Sequence, residues 1–218
     1  MLFPLCALSQ NGKTDKSTDK SKSKPSAGKA GIGLKAGLNF ANVTGASSIS
    51  SKNKTGFMIG GFFSLPSKKL FGYRMELTYS RQGYDFKTNT NTGTVDQNYI
   101  LMPTLTTINL GRFAQLQFGL QTAFLLNAKA DTSTTPSSTD PYANAMSDIT
   151  KYQNRVTLGG AGGFEIYPFK GILIGARYNV SFGDMFKTPS SSSNTPPSFL
   201  PSINAKNNVV SFFLGYRF

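Results

Sequence analysis

From Gly31 to Phe218, apolar and polar side chains alternate with a period of two in eight separate runs. A strand sends successive side chains to opposite faces, whereas a helix would space its apolar positions three and four apart. The pattern predicts strands with one greasy and one polar face. The first run sets Ile32, Leu34, Ala36, Leu38 and Phe40 against Gly31, Gly33, Lys35, Gly37 and Asn39. In the second, Phe57, Ile59, Gly61 and Phe63 fall together. The third is the cleanest, with Tyr73, Met75, Leu77 and Tyr79 opposite Arg74, Glu76, Thr78 and Ser80. The fourth is expected to turn Tyr99, Leu101, Pro103 and Leu105 toward the apolar side. Pro103 cannot donate to the ladder, so a bulge is expected there.

The remaining runs keep the alternation. Leu116, Phe118, Leu120, Thr122, Phe124 and Leu126 oppose Gln115, Gln117, Gly119 and Gln121. Val156, Leu158, Phe164 and Ile166 oppose Thr157, Ala161 and Glu165, and Ile172, Ile174, Ala176, Tyr178 and Val180 oppose Gly175, Arg177 and Asn179. The last run sets Val210, Phe212, Leu214, Tyr216 and Phe218 against Ser211, Gly215 and Arg217.

The links between runs alternate as well. Long polar links cover 43–54, 83–98, 131–152 and 183–207, and short ones cover 64–69, 109–112 and 168–171. An open sheet of this kind would expose two edges and one greasy face. Closure removes the edges, and lipid accepts the face. Short turns toward the periplasm and long loops toward the outside are the habit of a transmembrane barrel. The expected fold is all-β, an eight-stranded antiparallel up-and-down transmembrane β-barrel over 31–218, in a Gram-negative outer membrane. No stretch approaches the roughly 18 consecutive apolar residues of a membrane helix, and barrel strands do not need one.

Composition agrees where it discriminates. Charged residues are only 15%, with 18 Phe, 9 Tyr and 22 Gly, which suits a lipid-facing sheet better than a Lys/Glu-rich helical domain. The net charge of +13 would suggest a nucleic-acid partner if it were clustered on a folded surface. Instead Lys13, Lys16, Lys20, Lys22, Lys24 and Lys29 lie in a Ser/Lys-rich segment with almost no apolar residue. Residues 10–30 therefore read as a disordered periplasmic tail, and no nucleic acid is expected as a partner. Residues 1–9 read as the remnant of a secretory signal peptide, with Leu2-Phe3-Pro4-Leu5 as its core and Ala7-Leu8-Ser9 before a cleavage point, the true start lying upstream. Cys6, the only cysteine, would leave with it, and Phe3 and Leu5 fit a lipobox poorly.

Catalysis lacks its parts. With no His, Ser-His-acid hydrolysis and His-based acid/base work are excluded. Gly159-Gly160-Ala161-Gly162-Gly163 would cradle phosphate only if it opened a helix, and Phe164-Glu165-Ile166 continues a strand instead. Asp131, Asp140 and Asp148 match no calcium-loop spacing and read as solvated loop acids. No enzyme, metal or cofactor is expected. Lys35, Arg74, Glu76, Glu165, Arg177 and Arg217 share the inward face. Side chains just fill an eight-stranded lumen, so these charges are expected to pair in an interior polar network. Tyr73, Tyr84, Tyr99, Tyr167 and Tyr178 are expected in the interfacial aromatic girdles.

Gly33-Leu34-Lys35-Ala36-Gly37-Leu38-Asn39-Phe40-Ala41-Asn42 and Glu76-Leu77-Thr78-Tyr79-Ser80-Arg81-Gln82-Gly83 are similar to the first-strand signature and the third-strand motif of the PorT-like outer-membrane β-barrel family of Bacteroidetes. Tyr99-Ile100-Leu101-Met102-Pro103 and Ala176-Arg177-Tyr178-Asn179 resemble two later strands. Leu214-Gly215-Tyr216-Arg217-Phe218 resembles the C-terminal signal read by the barrel-assembly machinery, with Tyr216 and Phe218 as its aromatics. The resemblance implies a barrel of the OmpA and OmpX kind, with outer-membrane lipid around it and no defined activity for most members. The family's named member supports type IX secretion.

Three functional expectations follow. The first is a non-enzymatic barrel whose four long loops meet an extracellular ligand or a partner in a secretion complex. The second is a narrow passive pore. The third is a soluble lipocalin-like carrier, which would gather Leu77, Phe118 and Phe212 in a dry centre.

Overall fold

The computed structural model describes residues 31–44, 50–65, 70–87, 92–133, 147–150, 153–184 and 206–218. The expected signal remnant over 1–9, the tail over 10–30 and Asp140 lie outside the described residues.

The strands are β1 Gly31–Thr44, β2 Ser50–Ser64, β3 Phe71–Lys87, β4 Thr92–Leu110, β5 Ala114–Ser133, β6 Ser147–Asp148, β7 Val156–Phe169, β8 Ile172–Ser181 and β9 Lys206–Arg217. Each long strand pairs antiparallel with the next, and β9 returns to β1 with Leu38 opposite Phe212. Eight strands thus close into a barrel. The two-residue β6 extends the sheet at the far end of β5, where Lys129 and Asp148 are backbone register partners. Closure follows from the alternation, because a sheet greasy on one face and polar on the other hides its edges only by joining them.

The greasy face points out. Leu77, Phe118 and Phe212 are 56%, 50% and 54% exposed, whereas Arg74 is fully buried. This is the reverse of a lipocalin-like carrier, whose apolar residues would face a central cavity, and it suits acyl chains as solvent. Two of the tight turns use a left-handed residue that only glycine adopts freely, Gly111 at φ 74° and Gly171 at φ 81°.

Strand β4 departs from expectation. Tyr99, Leu101, Pro103 and Leu105 face the lumen, with Leu105 fully buried, while Met102 and Leu110 face outward. Both faces of this segment are apolar, so alternation alone could not orient it. The flanking Gln97, Thr107 and Asn109, all buried on the same parity, decide the matter. Pro103 causes no register shift: Met75 pairs with Thr104 and Thr78 with Leu101 in one continuous register. The irregularity lies at Asn98/Tyr99, opposite Asn127 and Leu125. There β5 carries one extra residue, and its inward parity changes from Leu125 to Ala128.

Two expected long loops are mostly strand. β1 and β2 run into 43–54, and β3 and β4 convert nearly all of 83–98 into a hairpin. Strands β3, β4 and β5 reach 17, 19 and 20 residues, against 10 for β8 and 12 for β9. A strand needs only about 9–11 residues to cross a bilayer. One side of the barrel therefore stands well above the membrane. Beyond the lipid no apolar face is required, so these extensions lose the periodicity that marks the lower strands.

Candidate functional site

The lumen is where the charged residues converge. Arg74 on β3 reaches across to Glu165 on β7, its Nη1 2.6 Å from both carboxylate oxygens. Its other donors are also used: Nε donates to Ser64 Oγ at 3.0 Å, and Nη2 donates to Gln115 Oε1 and to the Tyr167 hydroxyl oxygen at 2.9 Å each. The Tyr167 hydroxyl in turn donates to Glu165 Oε2 at 2.8 Å. The face of Phe62 lies 4.5 Å from the guanidinium carbon, an attraction between cation and ring quadrupole.

A second centre is built around Glu76 on β3. Arg177 of β8 approaches it with two nitrogens, Nη1 to Oε2 at 2.5 Å and Nη2 to Oε1 at 2.9 Å. Lys35 of β1 donates to the same Oε2 at 2.5 Å. Phe213 of β9 packs beneath both cations, 4.5 Å from Lys35 Nζ and 5.4 Å from the Arg177 guanidinium carbon. Gly175 makes this possible, since a Cβ there would stand 2.5 Å from Phe213 Cζ and 2.9 Å from Glu165 Cγ. Arg177 Nη2 also donates to Gln117 Oε1, and Gln117 Nε2 to Gln115 Oε1 at 3.3 Å, which joins the two centres. Gln115 Nε2 donates to Asn109 Oδ1 of β4 at 2.7 Å. Each of the eight barrel strands thus contributes a residue to one connected cluster. Buried charges are tolerated when paired and hydrogen-bonded in this way.

Of the six charged residues expected inside, the structure brings Lys35, Arg74, Glu76, Glu165 and Arg177 together. Arg217 also faces inward, 9% exposed, at the end of β9. Tyr216 and Phe218 flank it on the outer face, their rings 5.3 Å apart. Three tyrosines expected in girdles are instead interior: Tyr84, Tyr99 and Tyr167 are buried, while Tyr73 and Tyr178 face outward. Parity carried the missed signal. Tyr167 is two residues from Glu165, Tyr84 is two from buried Gln82, and Gln115 and Gln117 share a face. An apolar cluster of Met58, Phe62, Tyr167, Leu173 and Phe213 completes the filling.

Above the charges the lumen is lined by neutral polar groups. Asn39 Nδ2 donates to Ser80 Oγ at 2.7 Å, Ser211 Oγ to Asn39 Oδ1 at 2.8 Å, and Asn207 Nδ2 to Gln82 Oε1 at 2.7 Å. A cavity of about 30 Å³ lies here beside Gln82, Gln121 and Asn179, room for about one water. At the mouth, Ile149, Thr150 and Gln153 from the link after β5 are buried, and Gln97 Nε2 donates to Gln153 Oε1 at 2.7 Å. From the sequence, 131–152 reads only as a long polar link. Asp131 and Asp148, expected as loop acids, lie instead in β5 and β6, with Asp131 exposed.

Two solved structures share this architecture. The attachment invasion locus protein Ail of Yersinia pestis, in complex with the heparin analogue sucrose octasulfate, aligns with a TM-score of 0.52 at 15% identity, over 87% of this chain and 99% of that one. Neisserial surface protein A, from Neisseria, aligns at 0.52 and 13%, over 86% and 97%. At such identities the likeness carries the fold alone. No curated protein sequence matches the chain. Residues 9–187 match the family described as the outer membrane protein beta-barrel domain. The chain is a member of that family, and it is a protein of the bacterial outer membrane.

Proposed function

We propose that this is a non-enzymatic surface barrel that works through its outer mouth, where the raised wall of β3, β4 and β5 and the long links meet an extracellular ligand or a partner in an envelope complex. The observation that supports this best is the filled lumen. A cluster tied to all eight strands fills the lumen at its level, which supports a surface role over the narrow-pore reading. What remains for contact is the wall above the lipid, with Arg81, Asn127 and Lys129 exposed on it. The PorT-like motifs support the secretion-complex form of the proposal, and the aromatic pair Tyr216 and Phe218 supports recognition by the barrel-assembly machinery.

Two measurements test it. Pure protein in planar bilayers is expected to give no single-channel steps, and stable steps would restore the pore. Pull-downs from detergent extracts, with links 45–49, 88–91, 134–146 and 185–205 deleted one at a time, are expected to lose a partner with at least one deletion. Retention of every partner by all four deletants would overturn the surface role.

A further inference from the structure

Hydrogen bonding in the lumen is uneven along the barrel axis. Around Arg74 each guanidinium nitrogen has an acceptor. Toward the outer mouth that completeness ends. Thr78 stands two positions beyond Glu76 on β3, and Asn179 two beyond Arg177 on β8. Thr78 Oγ1, Arg177 Nε and Asn179 Oδ1 are buried without a hydrogen-bond partner among the described residues. Buried polar atoms are almost always paired, because an unpaired one has given up water for nothing.

Of the three, Asn179 borders an open space. The cavity of about 30 Å³ in the upper lumen is bounded by its side chain together with Gln82, Tyr99, Gln121, Thr157 and Asn207. Small residues on β7 make the room. Gly159 is the register partner of Gln121 on β5, and Ala161 that of Asn179 on β8. Gly159 cannot carry a side chain, since a Cβ would stand 2.4 Å from the Val180 carbonyl oxygen. Asn179 is only 7% exposed, so its acceptor is shut off from bulk solvent.

We infer that this cavity is a binding site for one ordered water, held by Asn179 Oδ1, and that the lumen is hydrated from Asn179 outward and dry around Arg74. The volume admits about one such molecule. No acid or base lines it, so an ion would surrender its hydration without meeting an opposite charge. Water can also donate to Asn179 Oδ1 and accept from an amide nitrogen of Gln121 at once, which an ion cannot do. The site is independent of whatever the outer mouth binds.

The test uses the full chain in lipid bilayers, isotopically labelled, with water itself as the probe. Solid-state NMR follows magnetisation from water protons to assigned side-chain nitrogens. Transfer to the Asn179 and Gln121 amides is expected to be several-fold faster than to Arg74 Nε and the Gln115 amide. N179L replaces the acceptor and its water by an apolar group of similar size. It is expected to slow transfer to Gln121 to the level of Gln115, whereas N179S, which keeps an oxygen there, is expected to retain much of the fast transfer. Electrophoretic mobility before and after boiling shows that each variant is folded. Transfer to Asn179 as slow as to Arg74, or fast transfer to Gln121 that survives in N179L, would overturn the inference. So would a shift of the Asn179 amide resonances when potassium bromide replaces sodium chloride at equal strength, because the occupant would then be an ion.

Discussion

Arg74 and Glu165 stand 91 positions apart in the chain and meet inside the barrel, one guanidinium nitrogen 2.6 Å from each carboxylate oxygen. They come from β3 and β7, which share no ladder, so their contact crosses the lumen rather than following the wall. Both side chains are fully buried. Taking such charges out of water is costly, and the surrounding Ser64, Gln115 and Tyr167 offset the cost by occupying the remaining donors.

This arrangement makes the two members unequal to a hydrophobic pair only when one is removed. Glu165→Ala leaves a buried guanidinium without its carboxylate, and a loss of about 3–5 kcal/mol in unfolding free energy is expected. The apolar double variant R74M/E165L is expected to recover most of it. Urea unfolding in lipid vesicles measures both. A Glu165→Ala loss below about 1 kcal/mol, the ceiling for an exposed pair, would show that the cross-lumen contact contributes little to holding the barrel closed.

Glu76 makes a sharper comparison because it answers two cations. Lys35→Met leaves Glu76 with the two-nitrogen contact from Arg177. Glu76→Met leaves Lys35 and Arg177 facing each other over Phe213 with no anion between them. The Glu76 variant is expected to lose the several kcal/mol of an orphaned buried charge, and the Lys35 variant clearly less. Equal losses in the same unfolding experiment would mean that packing against Phe213, not charge balance, dominates this centre.

On the outer wall of β3, the apolar band runs Phe71, Tyr73, Met75, Leu77, Tyr79, with Met75 at its middle. Arginine at the bilayer midplane of a barrel costs about 2–4 kcal/mol and near the interface about 0–1 kcal/mol. Met75→Arg is therefore expected to destabilise far more than Phe71→Arg. A reversed order would displace the membrane from the band assigned to it.

The parts of the fold that lipid constrains were legible in the sequence, and the parts it does not constrain were not. β1, β3 and β5 each carry a strict apolar face because acyl chains enforce it, and reading Leu77 or Phe118 outward required nothing more. β4 failed because Leu101 and Met102, or Leu105 and Ile108, offer the lipid equal alternatives; the polar residues at its ends held the answer. Above the lipid, Gly83 to Asn98 carries no apolar rhythm, so a long hairpin looked like a loop. In the lumen the charges were found by parity, but the tyrosines were assigned by their habit of sitting at interfaces. For Tyr167 the hydrogen bonds to Arg74 and Glu165 prevail over that habit.

The raised wall offers a prediction that depends on pH. Asp96 of β4 lies above the apolar band, where Lys54 Nζ donates to its Oδ1 at 2.8 Å and Arg81 Nη2 stands 3.3 Å from its Oδ2. Burial pushes this carboxyl up, but the hydrogen bonds from Lys54 and Arg81, together with their charges, outweigh it and hold the group below its ordinary value. The unfolded chain has an Asp near 3.9. A carboxyl depressed on folding adds stability above that value, and the contribution fades as pH falls from there through the folded value. The pair is partly exposed, so the gain at neutral pH is expected to stay under about 1 kcal/mol and to shrink with salt. Its register partners are Gly83 on β3 and Lys129 on β5, and their amide exchange reports the local opening of the wall. In Asp96→Asn those amides are expected to exchange a few-fold faster than wild type at neutral pH, and the two proteins are expected to converge once the carboxyl is protonated. A gap that persists under acid would assign the effect to hydrogen-bond geometry at this position, and the charge argument for the wall would fail.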